Sequence, residues 1–84
     1  MEITLIFITD GVPEQRLKFK IHESRDVKDI IKEVDLWLPK VVPDSVKFES
    51  FWLLKNGVKL NEASSLQDSK VISDSLIYIM LELA

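Results

Sequence analysis

Residues 65–84, SLQDSKVISDSLIYIMLELA, decide the architecture. The first part is rich in Ser and Asp, residues that bond back to their own backbone and favour turns. It predicts a loop with one helical turn around Ser65–Asp68. The second part, LIYIMLEL, is a strand of aliphatic and aromatic residues. Ile77, Ile79, Leu81 and Leu83 fall on one face, and Tyr78, Met80 and Glu82 on the other.

Upstream, ESFWLLKNGVKLNE reads as a hairpin. Asn56-Gly57 supplies two residues that tolerate positive φ, the requirement of a tight two-residue turn. The strand before it carries Phe51, Trp52, Leu53 and Leu54. The strand after it is short, Val58 to Leu60. Before the hairpin, SRDVKDIIKEVDLWLPK places Val27, Ile30, Ile31, Val34 and Leu38 on one helical stripe. Asp26 is the predicted N-cap, with Ser24 as its competitor, and Asp29 stands three residues on. Pro39 is expected to end the helix, giving a span of 26–38. An irregular crossover with Pro39 and Pro43 follows. At the N-terminal side, EITLIFIT is a strand with apolar residues on both faces, and RLKFKIH alternates Leu17, Phe19 and Ile21 against Lys18, Lys20 and His22. TDGVPEQ between them has turn chemistry. The order ββαββ(short helix)β predicts an α+β fold, a mixed sheet of four to five strands with one helix packed on one face.

The 84 residues fit a single domain, residues 1–84. The 46% hydrophobic content supplies its core. The expected stability is on the order of 4–13 kcal/mol. The absence of cysteine excludes disulfides, thiolate metal sites and cysteine nucleophiles. The net charge is −3 and the cations are dispersed, which argues against a nucleic-acid partner. The N-terminal apolar run lacks a basic flank and a cleavage site, and no run approaches the ~20 residues of a membrane span. A cytoplasmic protein without direct membrane insertion is expected.

The order and spacing of these elements resemble ubiquitin and its β-grasp relatives. Gly57 to Ala84 lies on ubiquitin without a gap; Gly57, Leu60, Leu66, Asp68, Val71 and Ser75 match the same or similar residues. SLQDSKVISDS occupies the place of ubiquitin's Leu-Ser-Asp-Tyr-Asn-Ile segment. LKFKI and SRDVKDIIKEV lie equally well on the second strand and the helix. The first hairpin loop is longer by about four residues, judged from where the strands match, and the crossover after Pro39 is longer as well. Two functional features are missing. Leu83-Ala84 stands where a Gly-Gly tail would be, and Leu83 reads as strand core, so covalent conjugation and sulfur-carrier activity are not expected. Val58 replaces the main linkage lysine. The helix VKDIIKEVDLW is similar to that of the stand-alone ubiquitin-like proteins of bacterial type VII secretion loci, the YukD and EsaB kind. That resemblance implies a cytoplasmic accessory or regulator of such a secretion system.

No catalytic constellation is legible, and a non-enzyme with no cofactor and no metal is expected. His22 is the one histidine and reads as solvated on a polar strand face. Asp26, Asp29, Glu33 and Asp35 lack calcium-loop spacing and read as a solvated, dipole-favoured surface. Ser65, Asp68 and Ser69 have no paired base. Gly11 and Gly57 form no phosphate loop. The informative feature is a sheet face. If Leu53 points inward, Trp52 and Leu54 point outward, as do Tyr78 and Met80. In a β-grasp sheet these strands are neighbours, so Trp52, Leu54, Tyr78 and Met80 form one apolar patch. Leu54 and Met80 fall where ubiquitin has its recognition isoleucine and valine. Such a patch marks a binding surface for a protein partner or for a second copy in a homodimer. The competing expectation is that Val41, Val42 and Phe48 of the crossover fold over it.

Overall fold

The computed structural model describes residues 1–9 and 12–84. The apolar EITLIFIT becomes β1, Glu2–Thr9, and pairs antiparallel with β2, Val12–Lys20, in a register that sets Ile3 opposite Phe19 and Leu5 opposite Leu17. The turn expected over residues 9–15 is shorter than the sequence implied. Thr9 already pairs with Val12, so much of the added hairpin length is strand rather than loop; Asp10 and Gly11 lie outside the described residues. Pro13 is tolerated there for a physical reason. β2 is an edge strand, and its register slips between Phe7 and Thr9, so Pro13 and Glu14 together face Ile8. A bulge at an edge needs no donor from proline.

The helix α1, Val27–Val41, starts as predicted at Asp26, whose backbone is extended and whose N–H donates to Asp29 Oδ2 at 3.0 Å. It does not stop at Pro39. It continues to Val41, and the Val42 N–H donates to the Leu38 carbonyl at 2.9 Å. Proline removes one bond and restricts the preceding residue. Here Pro39 is exposed and sits in the last turn, while Leu38 before it and Val41 after it pack on the core. Burial of these side chains outweighs the local penalty.

Asn56 (φ 52°) and Gly57 (φ 78°) form the tight turn between β3, Phe48–Lys55, and β4, Val58–Lys59. A Cβ added at Gly57 would meet nothing within 4 Å. Gly57→Ala is therefore expected to lower stability by about 1 kcal/mol through backbone strain alone. A thermal melt checks this; a much larger loss would mean that the turn also packs against something. Beyond β4, the helical turn expected at Ser65–Asp68 is a set of hydrogen-bonded turns. Asp68 N–H donates to Ser65 Oγ at 3.0 Å, and Ser69 N–H to the Ser65 carbonyl at 3.1 Å. Leu66 N–H to Arg25 O and Val27 N–H to Ser64 O, both 3.0 Å, tie this segment to the start of α1.

The last strand, β5, Leu76–Leu83, enters the middle of the sheet. The order is β2-β1-β5-β3-β4, with β5 parallel to β1 and antiparallel to β3. One helix lies against one face of this five-stranded mixed sheet, an α+β fold with the ubiquitin-like β-grasp arrangement. The core between helix and sheet holds Ile3, Leu5, Phe7, Ile21, Val27, Ile30, Val34, Leu38, Leu53, Leu60, Leu66, Val71, Ile77 and Ile79. Leu17, Phe19, Ile31 and Leu81, which alternation and helical spacing place on the apolar faces, are half-buried at its margin. Leu83, expected to be core, is 59% exposed. It still pairs with Phe48 in the sheet, but alternation gives an inward direction only, and burial requires something to pack against.

Candidate protein-binding face

The second face of the sheet carries the predicted patch. Leu53 is buried in the core, opposite Ile79. Strand alternation therefore turns Trp52 and Leu54 to the other face, with Tyr78 and Met80. The register brings the four together in two cross-strand pairs, Trp52 opposite Met80 and Leu54 opposite Tyr78. Tyr78 and Met80 are each 37% exposed, and Trp52 and Leu54 are half-buried. The reduced exposure has a local cause on β4. Lys59 stands opposite Leu54, and its Nζ lies 5.7 Å from the Trp52 ring centroid, a cation–π contact that screens the indole.

The patch extends further than the four residues. Ile6 aligns with Tyr78 on one side and Arg16 on the other, between the inward residues Leu5 and Phe7. It is fully buried, yet it does not belong to the cluster under the helix. It is a small core of the outer face, and Ile8 and Leu76 add exposed apolar surface beside it. The available signal was that β1 is apolar on both faces, as befits a strand with neighbours on both sides. Arg16, Lys18 and Lys20 line the β2 margin by register with Ile6, Thr4 and Glu2. Glu14 Oε2 accepts from Arg16 Nε at 2.8 Å; this bond and the carboxylate charge raise the Arg16 pKa above its ordinary value. Val41 at the end of α1, Val42 after it and Phe48 at the start of β3, expected to belong to a crossover folded over the patch, pack instead against the core under the helix, so among the described residues they leave the outer face uncovered.

The remaining chemistry-bearing residues do not converge. His22 lies beyond the end of β2, exposed, where Nδ1 accepts the Ser24 N–H at 3.1 Å and lies 2.7 Å from Ser24 Oγ. Ser65 Oγ accepts from the Asp68 backbone in a turn. Among the described residues no three His, Cys, Asp or Glu side chains are grouped to hold a metal, and no helix is long and apolar enough to cross a membrane. No protein-family model matches the sequence, and no curated protein matches it.

Proposed function

We propose that this chain is a ubiquitin-like protein-binding module that recognises a partner non-covalently through Trp52, Leu54, Tyr78 and Met80. The observation that carries the reading is the pairing of these four large apolar side chains on the sheet face away from the helix, with Tyr78 and Met80 exposed and Trp52 and Leu54 half-buried. Exposed contiguous apolar surface of this composition is characteristic of binding sites, and Trp and Tyr are enriched among the residues that dominate binding energy. In this reading the role is non-catalytic, without cofactor, nucleic acid, membrane insertion or covalent attachment. The similarity of α1 to the YukD and EsaB helix supports a cytoplasmic role as accessory or regulator of a bacterial type VII secretion system.

The test is co-purification of the folded protein with tagged subunits of that secretion machinery, comparing wild type with Leu54→Arg. Retention by wild type and loss by the variant is expected. Light scattering runs alongside. A stable dimer that Leu54→Arg converts to a monomer would assign the face to self-association and replace the partner reading.

A further inference from the structure

β3 is long and its outer neighbour is short. β4 pairs with it only at Leu54–Lys59 and Lys55–Val58, and one further bond joins the Leu60 N–H to the Leu53 carbonyl at 2.9 Å. Among the described residues, no strand lies beside the rest of that edge, from Phe48 to Trp52. Because the Leu53 carbonyl points toward β4, strand alternation points the Phe51 N–H and C=O the same way, past the end of β4. A groove follows this edge. Ile31, Phe51 and Leu60 form its helix side, Trp52 its outer side, and Glu62 and Glu82 its acidic rim. Proteins usually blunt such edges with charge, proline or a bulge. Here the bulge lies between Phe48 and Ser50, which leaves Phe51 and Trp52 regular, apolar and, among the described residues, without a strand paired on their outer side.

We infer that the free edge of β3 takes an extended segment of a partner protein, which adds as a strand opposite Phe51 and directs Lys or Arg toward Glu62 and Glu82. An added antiparallel residue opposite Phe51 exchanges both main-chain bonds with it, and its neighbours place alternate side chains over Ile31 and Leu60 or over Trp52. Charge selects the occupant. Lys59, the cation of the groove, is held over Trp52, and among the described residues Glu82 receives only the Ser50 hydroxyl, at 2.7 Å. A second copy of β3 would bring its own Glu49, Glu62 and Glu82 to the same edge, where like charges repel. This edge is separate from the outer face, sharing only Trp52 with the four-residue patch.

The probe is a displayed library of random peptides about nine residues long, enough to span the edge at ~3.3 Å per residue. Selection is on the immobilised full chain. Enriched peptides should alternate apolar residues with Lys or Arg. With the best peptide added, hydrogen exchange at the Phe51 amide should slow by at least about tenfold. The double variant Glu62→Lys/Glu82→Lys, both exposed positions, should melt like wild type and bind that peptide at least about tenfold more weakly. The inference is overturned if nothing is enriched, or if the enriched peptides lack alternation or positive charge. It is equally overturned if they shift Leu54, Tyr78 and Met80 while Phe51 exchange is unchanged, a result that leaves the face reading standing. Slowing of Phe51 exchange with rising protein concentration and no peptide would assign the edge to a second copy instead.

Discussion

Leu53→Arg should abolish folding, and Leu54→Arg, one residue further along the same strand, should not. Leu53 is 2% exposed, opposite Ile79 and enclosed by the core under α1. A guanidinium there has no carboxylate within the cluster to pair with, since its fourteen members are all apolar. Loss of a buried leucine alone costs about 2–5 kcal/mol, and an unpaired charge adds several more. The total is comparable with the whole stability of a chain this size, about 4–13 kcal/mol. Leu54 sits on the other face, where an arginine can extend to solvent. Its cost is not negligible, because it is half-buried and directly opposite Lys59. Like charges across a strand pair and the lost contact with Tyr78 together amount to about 1 kcal/mol. Urea titration followed by circular dichroism separates the two variants. Association, by contrast, should weaken by about 2 kcal/mol or more if Leu54 is a binding hot spot. Equal destabilisation of both variants would mean that Leu54 is part of the packed interior and that the face is not a free surface.

Ile6→Ala should destabilise the domain by about 2–4 kcal/mol, a core-like loss from the face opposite the helix. Ile6 has no exposed surface, and its register neighbours on either side are Tyr78 and Arg16. Removing three methyl or methylene groups leaves a void that long flexible neighbours fill only in part. Tyr78→Ala is the comparison. Tyr78 is partly exposed, so its truncation removes less buried area, but it uncovers Ile6. It should cost about 1–2 kcal/mol. A loss below about 0.5 kcal/mol for Ile6→Ala, the level of an ordinary surface change, would sink the idea of a second small core. The consequence for binding is direct. A patch whose base is packed this way is held rigid before a partner arrives, so less conformational freedom is lost on contact.

The strands and the helix were legible because local chemistry and periodicity agree. Asn56-Gly57 dictates a tight turn, Asp26 and Asp29 mark the helix start, and Val27, Ile30, Val34 and Leu38 repeat at helical spacing. The outward direction of Trp52, Leu54, Tyr78 and Met80 followed from alternation once Leu53 and Ile79 were set inward. The end of α1 was not legible. A local rule stops a helix at Pro39, while the burial of Leu38 and Val41 that overrides it depends on residues distant in sequence. The same holds for Leu83, which alternation turns inward but which is exposed, and for Ile6, which alternation turns outward but which is buried. Pro13 marked a turn in the sequence and lies in a strand, because an edge bulge accepts a residue without a donor.

Residue type and near-neighbour spacing were enough for the order of the main strands and the helix, for the inward and outward faces of β3 and β5, and for the absence of cysteine chemistry. The place of β5, parallel to β1 and beside β3, agrees with what the β-grasp resemblance implies. The assembled fold was needed to show that Val41, Val42 and Phe48 pack under the helix and leave the outer face uncovered, and that, among the described residues, no strand pairs with the outer edge of β3 at Phe51. Burial and exposure are properties of what lies across from a residue, and in a mixed sheet whose central strands are far apart in the chain, that neighbour is set by the assembled sheet.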